Sequence, residues 1–194
     1  MVKLYFRYGS MGSSKSAQAL ITRFNYEERG MKAWLIKPAM ETRDGAAAIR
    51  SRVGLEYEAT PIKECDNIYE MVKQREHTDV IIADESQFFS AEQIDQMRKI
   101  VDDLSIPVLC YGLRTDFTTH LFTGSKRLFE LADSISEIKT ICSCGEKAIV
   151  NARISSEGYA LTEGETIMMG GNESYIALCH RCWKQSIEQH KKII

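Results

Sequence analysis

A chain of 194 residues is long enough to bury one sizeable core and to carry a small appended module. Its 44% hydrophobic and 27% charged residues are those of a soluble globular protein. A net charge of −2, with Lys and Arg scattered along the chain, argues against a broad nucleic-acid footprint and leaves only a local basic groove open. No run approaches membrane-spanning length and no apolar leader with a basic flank is read, so the expected compartment is the cytoplasm.

The aromatic-rich run Leu4-Tyr5-Phe6-Arg7-Tyr8 reads as a strand. It passes into the small-residue loop Gly9-Ser10-Met11-Gly12-Ser13-Ser14-Lys15-Ser16, and the loop opens into a helix. Strand, glycine-rich turn, lysine, hydroxyl and helix in that order form a phosphate cradle, in which converging backbone N–H groups meet phosphate oxygens. Lys15 supplies charge to the β- and γ-phosphates and the Ser16 hydroxyl binds Mg²⁺. Ser14 stands where glycine usually precedes the lysine, and its Cβ strains the turn if that position needs a positive φ. The bland alternative is a Gly/Ser surface turn that happens to precede a helix.

The first helix is expected to stop near Arg29-Gly30, and Ala33-Trp34-Leu35-Ile36 reads as the second strand. Residues 41–60 show no clean periodicity and read as a mobile or subunit-contacting loop. Val80-Ile81-Ile82-Ala83 and Pro107-Val108-Leu109-Cys110-Tyr111 read as buried strands, separated by a helix from Ser90 to about Leu104 with Gln93 placed for a capping box. Continuous apolar strands separated by helices imply an α/β fold whose mostly parallel sheet is covered on both faces. From about Thr140 the pattern changes to short β-like pieces, glycines and cysteines, which sets the expected boundary between domains 1–139 and 140–194.

Asp84 and Glu85 directly follow a buried parallel strand, where ligands of open α/β sheets bind. Asp84 suits the second Mg²⁺ contact of a phosphate-loop protein. Glu85 points elsewhere by strand alternation and suits a base for an attacking hydroxyl or an orienter of water. Phe88 and Phe89 suit either a flat acceptor ring or the core, and the period alone leaves both open.

Cys142-Ser143-Cys144 and Cys179-His180-Arg181-Cys182 form two close pairs, as four soft ligands of a structural zinc require; disulfides or idle thiols are the alternative. Cys65 and Cys110 read as buried small hydrophobes, and Lys139, Lys147 and Arg153 as a solvated face.

Taken together, the phosphate loop, Asp84-Glu85-Ser86-Gln87-Phe88-Phe89 and the paired cysteines around a glycine-rich insertion resemble the type II thymidine kinases. Cys110 to Phe117, Glu41-Thr42-Arg43, Ile141 to Cys144 and Gly170 to Tyr175 add to the likeness, which covers nearly the whole chain in order. The resemblance implies a P-loop (RecA-like) core with a small C-terminal zinc-ribbon domain carrying a lasso loop. It also implies ATP-dependent phosphorylation of the 5′-hydroxyl of thymidine, and of deoxyuridine, in pyrimidine salvage. Gly9, Ser10, Met11, Gly12, Ser13, Ser14, Lys15, Ser16, Asp84 and Gln87 would then bind nucleotide, with Ser16 and Asp84 holding Mg²⁺. Glu85 resembles the general base, acting with Lys15 and Arg43. Met11, Phe88, Leu113 and Phe117 resemble the thymine pocket, and Thr166, Met168 and Tyr175 the lasso contacts to base and sugar. The likeness further implies a homotetramer, feedback inhibition by dTTP, and no nucleic-acid or membrane partner. The sequence departs from the pattern at Ser14 (usually glycine) and Glu41 (usually aspartate). A rival of another class, a P-loop ATPase with a zinc ribbon acting on nucleic acid, would need a basic groove interleaved with aromatics.

Overall fold

In the computed structural model, residues 2–41, 47–164 and 174–190 are described. The chain runs β1 (Leu4–Tyr8), α1 (Lys15–Glu27), β2 (Ala33–Pro38), β3 (Ala48–Arg50), β4 (Glu56–Glu58), β5 (Thr60–Ile62), α2 (Ile68–Lys73) and β6 (Val80–Ala83). A 3₁₀ turn (Ser86–Phe88), α3 (Ala91–Leu104), β7 (Val108–Gly112), α4 (Thr123–Leu131) and β8 (Ser134–Glu137) follow. β9 (Val150–Arg153), β10 (Tyr175–Leu178) and α5 (His180–His190) complete it.

Six strands form one sheet in the order β5-β2-β6-β7-β1-β8, every neighbouring pair parallel. β6 shows why its sequence is continuously apolar. Ile81 and Ala83 enter a core with Ile94, Met97 and Ile100 of α3, while Val80 and Ile82 enter a second core with Ala19 and Leu20 of α1. Both faces are covered, so no position of the strand can be polar until it leaves the sheet. α3 starts where the sequence places it: Ser90 Oγ accepts from the Gln93 N–H at 3.2 Å and Gln93 Oε1 accepts from the Ser90 N–H at 3.2 Å.

Several elements carry no sequence signal. Within 41–60, described residues form the antiparallel hairpin β3–β4, and β5 then joins the edge of the main sheet. Pro61 sits in β5, which an edge strand tolerates because one side of its backbone needs no ladder partner. β8 is the polar strand Ser-Ile-Ser-Glu at the other edge, and α2 is only one and a half turns long, capped by Asn67. Neither produces a periodic stripe.

Described residues between 140 and 190 build a small third core from Cys142, Ala148, Ala152, Ala160, Leu178 and Cys179, beside the antiparallel pair β9–β10. Cys110 lies in the main core, and burial pushes its thiol well up. Cys65 corrects the sequence reading: it is exposed, in the turn leading to α2.

Candidate active site

The phosphate loop leaves the C-terminal end of β1 beside β7. The Gly9 N–H donates to the Gly112 carbonyl at 3.2 Å. A Cβ on Gly9 would stand 2.4 Å from both the Ile138 carbonyl oxygen and Ser13 Oγ, so only glycine lets the loop turn this tightly. The Ser13 N–H closes the turn on the Ser10 carbonyl at 3.2 Å. The buried Lys15 lays its Nζ over the loop, donating to the Ser10 carbonyl at 3.0 Å and to Ser13 Oγ at 3.4 Å. Ser14 adopts φ 62°, ψ 29° at the head of α1, the left-handed conformation its Cβ disfavours by about 1–2 kcal/mol.

β6 delivers the two carboxylates. Alternation puts Asp84 on the face of Ile82, toward α1, with the Ser16 hydroxyl near enough to draw its carboxyl pKa down. Burial first, and then the neighbouring Glu85 charge, push the Asp84 carboxyl up to about 7 against the pull of Ser16, the Glu85 N–H and Lys15. Glu85 leaves the strand in the left-handed region, at φ 49° and ψ 38°. That backbone, costly for a residue with a Cβ, breaks the alternation and lets the second carboxylate head along the strand end. Its Oε2 accepts from Gln87 Nε2 at 2.6 Å.

Three buried polar side chains then tie distant segments together. Gln87, 2% exposed, receives the Leu113 N–H on Oε1 at 2.9 Å while donating to Glu85. This close approach explains Gly112, whose Cβ would fall 2.6 Å from Ser86 Oγ and 2.8 Å from Gln87 Oε1. Asn151, 3% exposed, accepts the Met11 N–H at 2.7 Å and donates to the Thr115 carbonyl at 2.9 Å. Arg153 lies with its guanidinium carbon 4.0 Å from the Phe117 ring centroid, and its Nε donates to the Tyr175 hydroxyl at 2.9 Å.

Met11, Leu113, Phe117 and Tyr175 are thereby linked by neighbouring bridges. Phe88 is half-buried, its ring edge-on to Phe122 at 5.5 Å, while Phe89 is 1% exposed in the main core, so the core reading holds for Phe89. Arg43, Thr166 and Met168 lie outside the described residues. Arg153 corrects the sequence reading, for at 3% exposure it is no part of a solvated face. Lys139 and Lys147 are exposed, Lys147 pairing with Glu137 at 2.8 Å. Asn151 has no reading from sequence, and that of Arg153 is wrong. The one available signal is the alternation Val150-Asn151-Ala152-Arg153, which marks a strand with one polar face but not that this face is buried.

The four cysteine sulfurs of Cys142, Cys144, Cys179 and Cys182 lie within 4.8 Å of one another. A tetrahedral zinc shell, with Zn–S near 2.3 Å, needs sulfurs about 3.8 Å apart, so the donor set fits zinc in number, softness and spacing. Burial opposes ionisation of Cys142, yet the N–H groups of Cys144 and Cys179 bring its thiol down to about 6. Hydrogen bonds to Cys144 and Cys179 push Cys182 up to about 12. Thiols this crowded cannot all ionise unaided; a divalent cation resolves the conflict. His180, between the ligands, packs its ring on Trp183 at 5.4 Å.

Residues 2–183 match the sequence profile of the family described as thymidine kinase. The thymidine kinase of Legionella pneumophila (strain Philadelphia 1) is 46% identical over 95% of this chain and 90% of its own length. That of Shewanella oneidensis is 43% identical over 96% of this chain and 99% of its own. That of Ruegeria pomeroyi is 42% identical over 96% of each. With a six-stranded parallel sheet, a lysine-bearing loop and a four-cysteine cluster beneath these alignments, the chain belongs to the thymidine kinase family of enzymes.

Proposed function

We propose that this chain transfers the γ-phosphoryl group of ATP to the 5′-hydroxyl of thymidine, and of deoxyuridine, in pyrimidine salvage. One observation carries the proposal: Ser16 and Lys15 of the phosphate loop stand close enough to Asp84 at the end of β6 to draw its carboxyl pKa down, so an anion cradle and a carboxylate pair share one cleft. The loop N–H groups from Gly9 to Ser14 bind phosphate oxygens, and Lys15 lends them its charge. The Ser16 hydroxyl and the Asp84 carboxylate are hard oxygen donors that suit Mg²⁺, which when bound neutralises charge on the β- and γ-phosphates.

Glu85, steadied by Gln87, takes the proton of the 5′-hydroxyl. The nucleoside oxygen bonds to the γ-phosphorus as the bond to the bridging oxygen breaks and ADP leaves. Arg43 is assigned to the transferred phosphoryl group. Met11, Phe88, Leu113 and Phe117 surround the base, with Tyr175 and the backbone at Thr166 and Met168 completing the contacts. Zinc at the four cysteines ties the two ends of the ribbon together. The same proposal takes residues 1–139 as the nucleotide-binding domain and 140–194 as a zinc ribbon with a lasso loop. It includes a cytoplasmic homotetramer inhibited by dTTP.

Incubation with ATP, Mg²⁺ and a panel of nucleosides tests this through the monophosphates formed. An apolar pocket distinguishes a methyl group by only about 1–3 kcal/mol, so thymidine leads and deoxyuridine follows within about 200-fold in kcat/KM. Phosphorylation of neither sinks the proposal, and outright refusal of deoxyuridine sinks the account of the pocket.

A further inference from the structure

On β9, alternation sends Ala152 into the small core and turns Asn151 and Arg153 together toward the phosphate loop and the 113–117 segment. Arg153 is 3% exposed, and among the described residues its guanidinium makes no ion pair with a carboxylate. Instead it lies across the Phe117 ring, with the Tyr175 ring centroid 5.3 Å away, and two of its nitrogens donate to the Tyr175 hydroxyl. Tyr175 is also its register partner across β9–β10. A Cβ on Gly164 would stand 3.1 Å from Nη1, so the chain passes close beside the guanidinium there.

Burying a charge on phenol and ring faces is expensive, and a methionine would fill the space without that cost. What only arginine offers is a planar fork that stacks on one ring while holding the hydroxyl of another. We infer that Arg153 is a positioning residue for the acceptor nucleoside, locking Phe117 and Tyr175, which reach the site from separate segments, into one binding geometry. The inference rests on the proposed assignment of those two rings to the nucleoside. Asn151 is the contrast on the same strand face, because its Oδ1 holds the Met11 N–H of the phosphate loop.

Steady-state kinetics on the zinc-containing full chain test this. Arg153→Met is expected to raise KM for thymidine about 10- to 100-fold while KM for ATP stays within about twofold, with Arg153→Lys recovering part of the loss. Adding Tyr175→Phe to Arg153→Met should cost less than Tyr175→Phe costs alone, since the bond between the two side chains is already gone. Asn151→Ala should raise both KM values. An unchanged thymidine KM in Arg153→Met, an equal rise for both substrates, or fully additive losses in the double variant would each overturn the inference. Should Arg153→Met not fold, Arg153→Lys and Tyr175→Phe decide, and a wild-type thymidine KM in both overturns it. Thymidine phosphorylation by the unmodified enzyme is measured first. Its absence sinks the proposed function and this inference with it, whereas a normal enzyme with an insensitive variant sinks the inference alone.

Discussion

The two halves of the candidate site are built in opposite ways. At the phosphate end the working groups are neighbours in sequence: residues 9–16 run as one loop into the first turn of α1, and Asp84 and Glu85 are adjacent. At the acceptor end they are held by bridges across long separations, 26 residues from Gln87 to Leu113 and 140 from Met11 to Asn151. A phosphate is held by backbone geometry, which a short motif encodes. A base is held by the relative placement of several rings, which only a folded scaffold supplies.

If chemistry belongs to the phosphate end, Glu85→Gln should give the largest loss, a fall in kcat of about 10²–10⁴-fold. Titration calorimetry should show ATP and thymidine still binding, since glutamine can keep an acceptor for Gln87. Unaltered turnover would move the base elsewhere. The β9–β10 pair that carries Asn151, Arg153 and Tyr175 shares its small core with Cys142 and Cys179 of the cysteine cluster. Metal analysis should find about one zinc per chain. Zinc at a thousandfold excess over its Kd contributes about 4 kcal/mol. Chelation should therefore lower the melting temperature by about 8–16 °C. Thymidine KM should rise more than ATP KM as the metal leaves. A zinc-free enzyme with both properties intact would cut the link between the cluster and the pocket.

Asp84→Asn sharpens the contrast in the other direction. With its carboxyl raised from 3.8 to about 7, Asp84 binds its proton more readily folded than unfolded. Its destabilisation is absent below the ordinary carboxylate pKa, grows as pH rises through the interval, and is complete above about 7. In EDTA, urea midpoints at about pH 8 should show Asp84→Asn more stable by about 1–2 kcal/mol, with little gain at about pH 4, and with kinase activity lost. A variant less stable than the parent at about pH 8 would show that Asp84 is held by more than it costs. The smallest effect belongs to Ser14→Gly. Relief of the left-handed serine should add about 0.5–1 kcal/mol, with ATP affinity equal or better. A large loss of affinity would mean that the loop has adapted to serine.

The same division decides what could be read from the chain. Four strands, α1, the capping box of α3 and the four cysteines were legible because each is a local pattern: a run, a period or a spacing. The edge strands β5 and β8 were not, because edges tolerate proline and polar residues that central strands exclude. Ser14 was marked by its departure from glycine, but only the backbone gives its φ. Glu85 was marked as unlike Asp84, while its left-handed backbone had no precursor in sequence. Arg153 was misread because a charged residue on a short strand is usually solvated, and nothing local reveals the two rings that cover it.

The most direct test follows the γ-phosphate of labelled ATP with the zinc-loaded protein and Mg²⁺, with and without thymidine and with and without single-stranded DNA. Expected is label in the 5′-phosphate of thymidine, one for each ADP formed, with negligible ADP when thymidine is withheld and no response to DNA. Release of label as inorganic phosphate without nucleoside, accelerated by DNA, would contradict the kinase and point to a nucleic-acid-driven ATPase in the same cleft.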